Sequence, residues 1–284
     1  MDKAGRKIDE LKDLWQVSFG DTEEYTDFFF NHFYLPENTI TREVEGRIVS
    51  ASQFKYFDII CGRQTYKSVY ILGVCTHPDH RRKGLSTSIV EQILSEQSQQ
   101  GIDIAFLIPQ EEHLFNFYRK MGFKDVFIAE EEIFDKLSPR ETYSIIKPSK
   151  DDLFNFYTDF YLSLGKAAMK ERDYFSFAMD DVSMGGGRVD VCGSNGKILG
   201  FAASYGNLVR ELLCCDDTAR YTLLSLLYRE NGGQALTVYS PIRGPASENA
   251  TRKTIGMAQV INPALSKEKV FKDLYGAYAN LLLN

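Results

Sequence analysis

Apolar positions in this chain switch between two periods. Val69 to Thr76 (VYILGVCT) is an apolar, β-branched run with the length of a buried strand, and Pro78 closes it. Leu85, Ile89, Val90, Ile93 and Leu94 then recur at helical spacing, with Gly101 placed as a C-terminal stop. Ile102 to Ile108 is a second buried strand, broken by Pro109, and a short helix from Glu111 to Met121 ends at Gly122-Phe123. Strand, crossover helix, strand predicts a right-handed parallel βαβ unit, which places ligands at the carboxyl ends of its strands.

Upstream, Ile8, Leu11, Leu14 and Trp15 form one helical stripe, and a second helix is expected from about Asp21, with Glu24 completing a capping box. Ile40 to Val44, the turn Glu45-Gly46 and Arg47 to Phe57 predict a hairpin, and a turn near Gly62 leads back into the Val69 strand. A second half is expected after Leu137, dividing the chain into domains of residues 1–137 and 138–284. There, Asp151 or Asp152 caps a helix carrying Leu153, Phe156, Tyr157 and Phe160. Val189 to Cys192, Asn195-Gly196 and Ile198 to Tyr205 predict a hairpin. Val209 to Cys214 precedes a helix bearing Tyr221, Leu224, Leu227 and Tyr228, and a terminal helix is expected from Leu265 to Leu283. Gly185-Gly186-Gly187 reads as a mobile loop, since no strand leads into it.

The turn between the Val69 strand and its helix carries the chemistry. Arg81, Arg82 and Lys83 precede Gly84 at a helix start, where unpaired amides and the positive end of the dipole favour an anion, so a phosphate-bearing ligand is expected. Arg81-Arg82-Lys83-Gly84-Leu85-Ser86 resembles the R/Q-x-x-G-x-G/A signature of the GNAT superfamily of acyl-CoA-dependent N-acyltransferases, with Ser86 standing where that family has Gly or Ala. Tyr118 to Phe123 resembles its second hallmark, Y-x-x-x-G-F.

The resemblance covers roughly residues 6 to 135 and implies an α/β GNAT fold with a mixed sheet. It implies acetyl-CoA as cosubstrate, with the pyrophosphate held at Arg81, Arg82, Lys83, Gly84, Leu85, Ser86 and Thr87. The backbone of Val74, Cys75 and Thr76 would pair with the pantetheine arm, and His113 and Leu114 would flank the cofactor. Tyr118 would serve as general acid toward the departing thiolate, although Leu114, Tyr118 and Met121 also share one packing stripe. Cys75 reads either as an inert buried thiol or as an acyl carrier, and His113 either as a cofactor neighbour or as a helix-entry residue. Where many histone-type members carry a glutamate base, this chain has Tyr70, so the proton acceptor stays open.

The second half repeats the order of elements, but Cys215-Asp216-Asp217 replaces the basic turn, and acidic side chains would repel a pyrophosphate. A GNAT domain followed by a degenerate one that helps wall a substrate channel resembles the enhanced intracellular survival family. In that family a third, sterol-carrier-like domain delivers the terminal carboxylate as base; here about 20 residues follow Pro263, ending at Asn284.

Composition adds little. The net charge of -6 permits an attracted amine, and no basic face suggests nucleic acid. Five cysteines without a C-x-x-C pair read as reduced core residues, and four scattered histidines argue against a metal site. No apolar run approaches a membrane span or a signal peptide, so a cytoplasmic protein with no membrane partner is expected. The expected activity is acetyl transfer to an aminoglycoside-, polyamine- or lysine-like amine by a protein that could oligomerise. An acyl-CoA-binding sensor is the alternative, and an aminoacyl-tRNA-dependent transferase ranks last because the phosphate turn is present.

Overall fold

Glycine and proline set most element ends in the computed structural model, which describes residues 3–137, 142–243 and 250–280. The first elements are α1 (Lys3–Phe19), α2 (Glu23–His32), β1 (Thr39–Val44), β2 (Arg47–Cys61), β3 (Gln64–Thr76), α3 (Leu85–Gln99), β4 (Ile104–Leu107) and α4 (Glu112–Lys120). β5 (Lys124–Phe134), β6 (Ser144–Ile146), α5 (Lys150–Leu164), β7 (Lys166–Met169), α6 (Arg172–Met184) and β8 (Arg188–Ser194) follow. The chain continues through β9 (Lys197–Tyr205), β10 (Leu208–Cys214), α7 (Asp217–Glu230), β11 (Leu236–Pro241), β12 (Ala250–Val260) and α8 (Lys267–Leu274). It divides into two compact units, neither of them one stretch of sequence. The first is Met1–Phe57, Tyr66–Lys124 and Met257–Phe271; the second is Asp58–Thr65, Asp125–Gly256 and Lys272–Asn284.

In the first unit the strand order is β1-β2-β3-β4-β12. β3 and β4 pair in parallel from Ser68↔Ile104 to Tyr70↔Phe106, and the end of β12 runs antiparallel to β4 from Met257↔Leu107 to Val260↔Ile104. The apolar stripe of α3 (Ile89, Val90, Ile93) is fully buried against Val69, Ile71, Leu107 and Met257. Each such side chain contributes about 1.5–3 kcal/mol on burial. Thr22, not Asp21, caps α2 by accepting from Tyr25 N. Asp21 is held elsewhere: its carboxylate accepts from Trp15 Nε1 at 2.7 Å, while the indole stacks on Phe29.

In the second unit the order is β12-β5-β11-β10-β9-β8-β6, and β7 pairs with the end of β2. β10 and β11 are parallel only at Leu208↔Thr237 and Val209↔Val238, with α7 packed on them through Leu223, Leu224 and Leu227. Three expectations are corrected here. Ser149 caps α5 by accepting from Asp152 N, because Asp151 is drawn into an ion pair with Arg172 and Asp152 accepts from the Ser149 hydroxyl. The triple glycine is a helix terminus rather than a loose loop: Gly185 N, Gly186 N and Gly187 N donate to Asp181 O, Ser183 O and Val182 O. A Cβ at Gly187 would lie 2.8 Å from Ser204 O, so the glycine permits that packing. The final helix stops at Leu274, where Gly276 turns the chain so that Ala277 and Tyr278 bridge to Phe127 and Ala167. Asn284 lies outside the described residues.

Candidate functional site

The parallel pairing of β3 with β4 ends at Tyr70, and the backbone of 71–76 has no β4 partner beyond it. Gly73 is the device that parts the strands. It sits at φ +58, and a Cβ there would meet the Trp15 ring at 2.6 Å. Ile71 and Val74 nevertheless pack on the same cluster although three residues apart, as one extra residue in a strand requires. The opened edge thus carries Val74 and Thr76, the alternate residues whose backbone groups an extended ligand could pair with, while Cys75 between them is turned toward β2, its carbonyl accepting from Ser50 Oγ.

At the end of this edge the chain turns sharply, with Arg82 at φ 61 and Gly84 at φ 78. Gly84 is the N-cap of α3 and offers no side-chain cap, unlike Thr22, Ser149 and Asp216 at other helices. The first-turn amides of Leu85, Ser86 and Thr87 therefore keep donors without a capping acceptor. Arg81, Arg82 and Lys83 surround them as exposed cations. Arg81 Nε donates to Thr76 O and Lys83 Nζ to Asp79 O, so both side chains also brace the turn.

Ser86 has a defined task. Ser50 Oγ donates to Cys75 O and so accepts from Thr76 Oγ1, at 2.8 Å; Thr76 in turn accepts from Ser86 Oγ, at 2.7 Å. This chain of hydroxyls pins the end of β3 to the start of α3. The sequence pattern did not reveal it, because Ser50 lies 26 residues away from Thr76.

Tyr118 lies in the same core cluster as Val69 and Ile71, its ring edge-on to Phe123. Its hydroxyl has no hydrogen-bond partner among the described residues, and burial pushes its pKa well above 10. Tyr70 is raised in the same way, with Tyr118 beside it, and is held by Phe106 and Phe57. Neither phenol is a proton acceptor near neutral pH. Cys75 is buried, donates to Ala51 O, and its thiol is pushed up to about 12 by burial. Leu114 packs against the cluster, whereas His113 is exposed and its Nδ1 sits 3.2 Å from Glu111 Oε2. Of the five cysteines, Cys61, Cys75 and Cys192 are buried; Cys214 is half-buried and Cys215 exposed, contrary to a uniform core reading.

No group of three or more His, Cys, Asp or Glu side chains suited to a metal ion occurs among the described residues. No helix among them is long and apolar enough to cross a membrane.

The architecture is the GNAT fold. Residues 4–126 match the family model described as Acetyltransferase (GNAT) domain. Similar solved structures include a protein of Enterococcus faecalis V583 described as a probable N-acyltransferase, with TM-score 0.70 and 18% identity over 90% of this chain and 70% of that one. A GCN5-related N-acetyltransferase of Anabaena variabilis matches with TM-score 0.68 and 15% identity over 90% and 71% of the two chains. Eis1 of Mycobacterium abscessus matches with TM-score 0.66 and 12% identity over 92% and 73%. No curated protein is similar in sequence at a significant level.

Proposed function

We propose that the protein is an acetyl-CoA-dependent N-acetyltransferase acting on a primary amine of aminoglycoside, polyamine or lysine type. The observation that carries this reading is the uncapped start of α3 at Gly84, set at the end of a strand edge that β4 leaves open. The residues fit coenzyme A: Leu85, Ser86 and Thr87 offer amides to a pyrophosphate, Arg81, Arg82 and Lys83 neutralise it, and the backbone of Val74 to Thr76 takes an extended amide-bearing arm. His113 and Leu114 stand at the entry of α4, with Leu114 as the apolar wall. Bound acetyl-CoA supplies an activated acetyl thioester.

The amine nitrogen forms the new C–N bond as the C–S bond breaks, and a backbone N–H on the open edge polarises the carbonyl oxygen. A lysine-like amine has a pKa of about 10.4, so its proton leaves through water to an acceptor other than Tyr70 or Tyr118. Tyr118 donates a hydrogen bond to the sulfur as negative charge develops there. A thiol of pKa about 8.5 is a stronger acid than a phenol of about 10, and burial widens that gap. The tyrosine therefore stabilises thiolate without giving up its proton completely.

Acetyl-CoA turnover with an amine panel tests the assignment, with Tyr118→Phe as the variant. A loss of about 10²-fold in kcat with acetyl-CoA affinity retained is the expected outcome. Unchanged turnover in that variant removes Tyr118 from the chemistry.

A further inference from the structure

The second unit repeats the opening of the first. β10 and β11 stay paired for two residues and then part, leaving a cavity of about 370 Å³ at their carboxyl ends. Phe160, Leu212 and Cys214 give it an apolar wall, and Glu130, Glu132 and Ser240 line the opposite side. Ser240 pairs directly with Glu130 across β11 and β5, so their side chains and that of Glu132 share the face turned to the cavity. Tyr239 and Glu131 bond to each other on the other face.

The charges in this cavity are unevenly spent. Arg220 is committed to Glu132 and lies over the Phe134 ring. Arg243 donates to Cys214 O at 2.7 Å and rests on Phe160, 4.4 Å from the ring centre. Asp216 caps α7. Glu130 feels the charges of Arg252 and Arg220 at longer range, yet its Oε1 is sealed from solvent and has no hydrogen-bond partner. Beside it is Ser240, 6% exposed, whose hydroxyl likewise has no partner among the described residues. A buried carboxylate oxygen without a donor is costly, and native proteins rarely keep one without a use.

We infer that this cavity is a second binding site, taking a small organic ammonium whose N–H groups bond Glu130 and Ser240 while its apolar body lies on Phe160 and Leu212. A primary ammonium supplies the three donors that these acceptors lack. A phosphate is disfavoured by Glu130, Glu132, Asp216 and Asp217 and by a helix start already capped by Asp216. The site is independent of acetyl transfer in the first unit.

The probe is n-butylammonium, with n-butanol as its uncharged counterpart, titrated calorimetrically into the full chain. Saturable binding of the ammonium and none of the alcohol is expected. Glu130→Gln, which keeps shape and fold, weakens it about tenfold or more, while its acetyl-CoA affinity stays at the wild-type value. Ser240→Ala weakens it by a smaller factor. Exposed Cys215 lines the same cavity, so the ammonium also slows iodoacetamide labelling of Cys215, read by mass spectrometry, in wild type and not in Glu130→Gln. Equal binding of ammonium and alcohol, an affinity indifferent to Glu130→Gln, or Cys215 labelling untouched by the probe each overturns the assignment, whether or not the first unit transfers acetyl groups.

Discussion

Gly73 and Tyr118 divide the work of the first unit between backbone and side chain. Gly73→Ala forces a Cβ to 2.6 Å from Trp15 at a positive φ, combining overpacking with left-handed strain. We expect a loss of about 2–4 kcal/mol in urea unfolding, with weaker acetyl-CoA binding as the strand edge shifts. The thiols give a second test at this scale. Burial raises Cys61 to about 11 and Cys75 and Cys192 to about 12, from a reference of 9.0. A folded pKa raised above the unfolded one contributes stability that is fully present below the unfolded pKa and is lost as pH rises through the folded values. Stability should therefore fall as pH climbs from about 9 toward 12, followed by denaturant midpoint. In the native state at pH 8 exposed Cys215 should react with a disulfide reagent ahead of the other thiols, although partial burial raises its pKa; equally rapid reaction of several would contradict the burial.

At the scale of elements, the second unit buries two ionisable side chains, Lys170 and Glu211, that act on each other electrostatically without forming a direct ion pair. Lys170, just after β7, donates to Tyr157 Oη at 3.1 Å and to Asn280 O, and Glu211 of β10 accepts from Tyr161. Burial depresses Lys170 to about 8 and raises Glu211, each partly countered by the other. Removing one leaves the other buried without its compensating charge and unpairs a hydrogen-bonded neighbour, so Lys170→Met or Glu211→Leu alone should cost about 1–3 kcal/mol, and the double variant less than the sum; additive losses would show that the groups are uncoupled. The elements that carry the first site were legible because their signals are local. Val69 to Thr76, the stripe Leu85 to Leu94 and the glycines at 84, 101 and 122 fix type and ends within short windows. The caps were less legible, since Asp21 and Thr22, or Ser149 and Asp151, compete as neighbours and tertiary partners decide between them. Lys170 with Glu211, and Glu130 with Ser240, were invisible, because residues 41 and 110 positions apart share no periodic signal.

For the whole molecule, the two compact units exchange chain. Met257–Val260 of β12 pairs with β4, and Met257 is fully buried in the first unit's core, so the segment that bears both motifs lacks one of its own strands. No reading of residues 1–137 could reveal this, since a strand partner more than 140 positions downstream leaves no mark on local pattern. A fragment of residues 1–137 should expose the β4 edge and fail to fold cooperatively, as judged by calorimetry, while the full chain melts cooperatively. Cooperative melting and acetyl-CoA binding by the fragment would show that β12 is dispensable.

The decisive experiment follows release of coenzyme A thiol from acetyl-CoA in the presence of aminoglycosides, polyamines and lysine peptides, with Tyr118→Phe run alongside. The expected result is release that requires both an amine and Tyr118, with the acetyl group recovered on the amine nitrogen. Tight acetyl-CoA binding with no amine acetylated, or release equal in the two proteins, would contradict it.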